Sequence, residues 1–271
     1  MSKNHIFLNT IGEKLNCNSP NISDNPCTIC GEYQMHLVKY FKSKRTLNNL
    51  WPLFFCLNCE SVITESLYKE DEAQLKRDLD WNISVADRNR TYLKSLVQLL
   101  RANKIKINNI LEVGCGIGTA LHELKNKYNC NVFGFDVNNH AIEYGTEHYK
   151  LDKLNKTLFT KDTEVNSKID LVICISVLEH IKYPNDLFSE IAKYCKKHKC
   201  PAFISVPFLD ADRWNHFYPE NINKKPNFLR ACDVHISYFS TKAFVNMAIE
   251  NGCTYYNRIQ ARAWVGYILK F

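Results

Sequence analysis

The sequence predicts an α/β fold: a doubly wound, mostly parallel sheet of seven strands, preceded by a small four-cysteine module. Three observations carry this expectation. From residue 108 to 271 apolar strand-like runs alternate with helical patterns, a glycine-rich turn in LEVGCGIGTAL joins the first run to its helix, and two Cys-x-x-Cys pairs stand near the N-terminus. Such alternation specifies parallel strands with helices on both faces, and near-continuous apolar runs such as LVICISV and AFISV suit strands buried on both sides.

In chain order, residues 1–66 read as an N-terminal segment with the cysteine module, 67–107 as a helical bridge, and 108–271 as the α/β domain. Over the bridge, Leu93, Leu96, Val97 and Leu100 recur at i, i+3, i+4 and i+7 on one face. Strands are expected in NNILEVGC, NVFGFDV, TLFTKD, IDLVICISV and AFISVP, followed by two closing strands toward Phe271. Helices are expected over 118–127, 138–149, 184–197 and 241–251. Residues 208–235, rich in aromatics and charge, form a long insertion after the fifth strand.

At 271 residues, 45% of them apolar, the chain can bury one sizeable core beside a small module. It shows neither an apolar leader nor eighteen consecutive apolar residues, so a soluble, cytoplasmic protein with no membrane partner is expected. Its 12 cysteines do not read as a disulfide framework, since Cys115, Cys174 and Cys253 sit in or beside strands as small hydrophobes. Lysine and arginine exceed aspartate and glutamate by 35 to 28, which fits an anionic partner. That charge forms no dense basic stripe, which argues against nucleic acid.

Gly114, Gly116 and Gly118 follow the first strand of the domain and let the backbone turn tightly and approach a ligand. The spacing is G-x-G-x-G, so neighbouring residues must decide which nucleotide is held. Asp136, ending the second strand, can accept both hydroxyls of a ribose, which S-adenosylmethionine (SAM) and NAD share. Glu112 discriminates between them: a carboxylate beside the loop can meet an amino-acid group, whereas it would repel the pyrophosphate of NAD.

The segment E-V-G-C-G-x-G, the acidic strand end at Asp136 and DLVICISVLEHI resemble the class I SAM-dependent methyltransferase superfamily over about residues 108–271. The resemblance implies a Rossmann-like sheet, with methionine held by Glu112 and the loop Gly114, Cys115, Gly116 and Gly118. Ribose would meet Asp136, and adenine would lie near Val137 and Asp162, although Asp162 equally fits a solvated turn. Ser176 and Glu179, in SVLEH, join the implied cofactor-binding residues.

Methyl transfer is an in-line displacement, so positioning dominates, and a base is needed when the acceptor is a hydroxyl or a carbon acid. His180, after the fourth strand, and His235, before the last helix, are the candidates, and each also fits a structural role. The 208–235 insertion stands where an acceptor lid would sit. VHISYFS is similar to the H-x-SYFS segment of sugar C-methyltransferases, which likewise begin with a four-cysteine zinc module. That family places another His and a Glu where Asp233 and Val234 stand here, and its large C-terminal domain has no counterpart in these residues. The implied acceptor is a carbohydrate or a nucleotide- or phosphate-linked sugar, methylated on oxygen or carbon.

Cys27-x2-Cys30 and Cys56-x2-Cys59, twenty-five residues apart, present two thiolates at each of two knuckles, the spacing of one structural Zn2+ with no open position. Lys39, Lys42, Lys44 and Arg45 between them either offset the negative site or offer a patch to an anionic acceptor, and Cys17 and His36 stay unassigned. Two rival functions keep the same residues. In one, the ribbon reads RNA for an RNA methyltransferase; in the other, the chain is a non-catalytic SAM-binding scaffold.

Overall fold

The computed structural model describes residues 25–33, 35–42, 50–64, 72–207, 235–261 and 264–271. Cys17, Lys44, Arg45, the insertion as far as residue 234 with Asp233 and Val234, and the side chains of His36, Lys39 and Lys42 lie outside the described residues. The chain divides into two compact units.

The larger unit carries the helix α1 (Glu72–Ala102), the strand β4 (Asn109–Val113), α2 (Thr119–Tyr128), β5 (Asn131–Asp136), α3 (Asn139–Tyr149) and β6 (Leu154–Lys156). It continues with β7 (Leu171–Ile175), α4 (Pro184–His198), β8 (Ala202–Pro207) and the hairpin β10 (Tyr255–Ala261) with β11 (Trp264–Lys270). The seven strands order as β10-β11-β8-β7-β4-β5-β6. β4 pairs in parallel with both β5 and β7, β5 with β6, and β7 with β8, while the closing hairpin is antiparallel. Parallel neighbours require long crossovers, and the helices supply them. The chain winds outward from β4 to β6, then returns to β7 on the other side of β4. Strand order thus reverses between β4 and β7, the crevice where open α/β sheets bind ligands.

The expected bridge is α1, whose Leu93, Leu96 and Leu100 are buried with Leu99, while Val97 is half-buried. These leucines join Ile110, Leu171 and Phe203 in one core. The third strand departs from expectation. It is LNK at Leu154–Lys156, pairing with Gly134–Asp136, and TLFTKD follows it without strand pairing. Phe159 is nonetheless buried, its ring 6.2 Å from Phe135 and 5.2 Å from Tyr194. Aromatic packing, not a ladder, hides the apolar residue that made the segment strand-like.

The smaller unit gathers the described residues before 67 with Glu179–Pro184 and those among Pro207–Met247. Its sheet runs β1 (Met35–Lys42), β2 (Leu50–Cys56), β3 (Val62–Thr64) and β9 (Ser237–Tyr238), all antiparallel. β9 arrives from far along the chain, just ahead of the last helix, α5 (Thr241–Glu250). No described helix is long and apolar enough to cross a membrane.

Leu96 is 0% exposed within the core of the larger unit, so Leu96→Ala is expected to cost about 3 kcal/mol. Denaturant unfolding checks this, and a loss below about 1 kcal/mol would place Leu96 outside the packed core.

Candidate functional site

The glycine loop leaves β4 at the reversal point. Gly114, Gly116 and Gly118 have φ of 69°, 52° and 75°, the left-handed region that other residues occupy at a cost of about 1 kcal/mol or more. At Gly114 a Cβ would also lie 2.4 Å from Val177 Cγ2, so the turn after β7 abuts the loop directly. Ser176, at that turn, is itself left-handed with φ 60°, and its N–H donates to the Ser205 carbonyl at 3.0 Å. A strained non-glycine residue persists where the surrounding structure over-determines it, as at a ligand edge.

Two carboxylates flank the loop. Asp136 Oδ2 accepts the Gly116 N–H at 2.7 Å, and Oδ1 accepts the Asn138 N–H at 2.8 Å. Each oxygen keeps a second lone pair for a hydroxyl donor. Burial raises the Asp136 pKa, and these backbone bonds partly offset the rise. Glu112 is buried, its Oε2 has no hydrogen-bond partner, and burial followed by the Asp136 charge pushes its carboxyl well above the usual range. A buried, unpartnered carboxyl stays protonated unless a cation or donor completes it. Val137, immediately after Asp136, leaves its apolar side chain 48% exposed. Cys115 is buried within the loop. Asp162 is exposed and ion-paired to Lys161 at 2.5 Å, beyond the end of β6.

Three residues missed in the sequence also shape this edge. Asn138 Nδ2 donates to the Leu75 carbonyl at 3.1 Å, and Asn82 Nδ2 lies 3.6 Å from where a Gly116 Cβ would stand. The first turns of α1 therefore lie over the loop. Gly145, inside α3, lets that helix touch the loop backbone, since a Cβ there would fall 2.5 Å from the Ile117 carbonyl oxygen. The signal for it was a glycine interrupting the helical pattern of HAIEYGTEHY.

Glu179, His180 and His235 come together in the smaller unit. Their donor atoms lie within 4.8 Å of one another, and the two imidazole rings are 4.8 Å apart, edge to face. His180 Nε2 is 3.9 Å from Glu179 Oε1. Glu179 is fully buried, neither carboxylate oxygen has a hydrogen-bond partner, and burial pushes its pKa up to about 8. Burial, aided by the neighbouring His180, holds the His235 pKa well below the ordinary histidine range. At neutral pH this cluster combines a protonated acid with a neutral imidazole.

In the same unit Cys27, Cys30, Cys56 and Cys59 converge. Sγ atoms of Cys27 and Cys59, and of Cys30 and Cys56, are 3.6 Å apart. Four sulfurs at about 2.3 Å from one tetrahedral ion stand about 3.8 Å from each other, so the four fit one metal. The two knuckles repeat each other: Gly31 N–H donates to the Cys27 carbonyl at 2.8 Å and Glu60 N–H to the Cys56 carbonyl at 2.9 Å, both donors left-handed.

A sheet whose order reverses at a glycine loop, with acidic residues in the two adjoining strands, defines a class I SAM-dependent methyltransferase. The family described as a methyltransferase domain matches residues 85–257, and the chain belongs to it. Similar proteins include the ubiquinone biosynthesis O-methyltransferase of Coxiella burnetii, 29% identical over 96 residues, 34% of this chain and 41% of that protein. The mitochondrial enzyme of the same name from Schizosaccharomyces pombe is 33% identical over 113 residues, 39% of this chain and 41% of its own length. The match thus spans less than half of either relative. Among solved structures, an O-methyltransferase family protein from Burkholderia thailandensis has a TM-score of 0.54 at 12% identity, covering 72% of this chain and 60% of that one. The plantazolicin methyltransferase BpumL, with a desmethyl analog and SAH, gives 0.54 at 12% identity over 74% and 91%. These structural likenesses are of fold.

Two substitutions check the site. Gly145→Ala gains about 1 kcal/mol of helix propensity but forces α3 off the loop, and calorimetry should find SAM binding weakened about tenfold; unchanged affinity would refute the contact. Glu179→Gln removes a carboxyl that stays protonated in the fold up to about pH 8 but ionises above about 4.5 when unfolded. Native stability therefore falls through that window, and the variant should melt like the native chain near pH 4 and increasingly above it toward pH 8. Parallel melting curves across that range would reject the assignment.

Proposed function

We propose that this chain methylates a hydroxyl oxygen of a small, anionic or sugar-containing acceptor, a carbohydrate or nucleotide- or phosphate-linked sugar, with His235 receiving the hydroxyl's proton. The observation that carries this reading is the cluster of buried Glu179, exposed His180 and buried, neutral His235. Bound SAM supplies a methyl carbon on a sulfonium. Glu112 would meet the ammonium of its methionine end, Asp136 would take the ribose hydroxyls, and Val137 would border the base.

His235 is kept neutral by burial, so it stands ready to accept a proton at neutral pH. The names of the relatives, O-methyltransferases of ubiquinone biosynthesis, support oxygen as the acceptor atom. The sugar reading rests on the VHISYFS segment, and the excess of 35 basic over 28 acidic residues favours an anionic acceptor. The four thiolates hold one structural Zn2+, and with four sulfur ligands the ion keeps no open position for chemistry.

His235→Ala is expected to lower SAH release with a panel of sugars and nucleotide sugars by about 10²–10⁴-fold while SAM affinity holds within about twofold. In the native enzyme turnover should fall with acid only well below histidine's ordinary 6.5, because the base works unprotonated and its folded pKa is depressed. Unchanged turnover in the variant rejects the base. Elemental analysis should find one zinc per chain, and a second tightly bound ion would transfer the cluster from proton transfer to a cation.

A further inference from the structure

We propose that the four-cysteine module serves as the seat of the His235 segment, and that Ser240 is the positioning residue joining them. This rests on the reading of His235 as the acceptor-side base. β9 belongs to the ribbon's sheet, not to the seven-stranded one. Its pairing is short, Val62 with Tyr238 and Ile63 with Ser237. A two-residue pairing is weak alone. Further bonds fix both of its ends.

Toward the histidine, Thr64 N–H donates to the Ile236 carbonyl at 3.0 Å, and Ile236 N–H donates to the Glu179 carbonyl at 2.8 Å. The residue next to His235 is thereby tied on one side to the ribbon and on the other to the backbone of its own acidic neighbour. Tyr238, paired in register with Val62, holds its ring 5.8 Å from the His235 ring. Away from the histidine, buried Ser240 makes four bonds, its carbonyl accepting the Phe244 N–H at 3.1 Å. Its hydroxyl donates to the carbonyl of Cys59 at 2.5 Å and accepts the Ala243 N–H at 2.9 Å, capping α5, while its own N–H donates to Ser61 Oγ at 3.1 Å. Lys242 and Glu60 add an exposed pair at 3.3 Å.

The carbonyl gripped by Ser240 belongs to a cysteine of the metal-fitting set. Cys56 N–H donates to the Ser61 carbonyl at 2.9 Å, so residues 56–61 form a closed knuckle whose shape depends on both thiols sharing one ion. Ser61 and Thr64 then present that shape to residues 236–240. Lost thiolate coordination therefore reaches His235 through five residues of backbone.

The test uses the full chain with ring-labelled histidine, the His235 signal being assigned by its loss in His235→Gln. Zinc is stripped by thiol-reactive mercurial with chelator, and Ser240→Ala, Ser240→Thr and Lys242→Ala are compared with zinc retained. Stripping and Ser240→Ala are each expected to shift the His235 ring signals and speed amide exchange over 236–240 about tenfold, with SAM affinity within about twofold. Ser240→Thr keeps the hydroxyl and should restore the native spectrum, and Lys242→Ala should leave it unchanged. An unshifted His235 signal after stripping or in Ser240→Ala overturns the proposal, as does loss of SAM binding in parallel. The base reading fails separately, if His235→Ala turns over normally while the signal still follows zinc.

Discussion

The burial of Glu112 is the constraint on which the cofactor edge depends. A carboxyl with an unpartnered oxygen, a second carboxylate nearby and little solvent is unfavourable unless a positive or donating group completes it. Parallel pairing of β4 sets Glu112, two residues before the loop, opposite Gly134 on β5 and Ile173 on β7. Gly134 is itself crowded: a Cβ there would stand 2.8 Å from Cys115 Sγ. The strand that carries the acid and the loop that follows it are thus packed as one piece, and Asp136 closes that piece by accepting the Gly116 N–H.

The smaller unit meets a different constraint. Its described sheet has four strands, of which β3 and β9 are three and two residues long. Apolar burial on that scale contributes little, and small modules of this kind draw their stability from an ion. A metal held by the four thiols would fix the knuckles and with them β3, and β3 offers the only ladder partner that β9 has among the described residues. On the proposal made for Ser240, the order of dependence runs from sulfur to histidine.

Much of this was legible in the sequence, for reasons that differ by element. The glycine loop and the two carboxylates beside it could be placed because a tight turn and a close backbone approach demand glycine, and acidic residues stand out at the ends of apolar strands. Strands buried on both faces announced themselves as unbroken apolar runs. The third strand did not, because LNK at the sheet edge has no apolar pattern, while Phe159 in the following segment is buried by rings rather than by pairing. Gly145 and Asn82 escaped notice since each matters only through what a neighbouring helix places beside it. The union of β9 with the ribbon was invisible for the same reason: Val62 and Tyr238 lie 176 residues apart, and nothing in either short segment names the other.

The chemistry proposed for the acceptor side also requires that a proton taken into a buried place does not strand a charge there. His235 is held neutral by burial, so accepting a proton creates an imidazolium in surroundings that disfavour it. Glu179 answers that difficulty. Its carboxyl is protonated at neutral pH, with a pKa of about 8, and a new cation within a few ångströms lowers that value. With His235 as the proposed base, Glu179 would release its proton as His235 gains one, and the cluster would pass from neutral pair to ion pair without a net charge. His180 is 38% exposed and lies 3.9 Å from Glu179, which makes it the member able to hand that proton to water. The acid is buried, on this reading, so that it holds its proton until the base is charged.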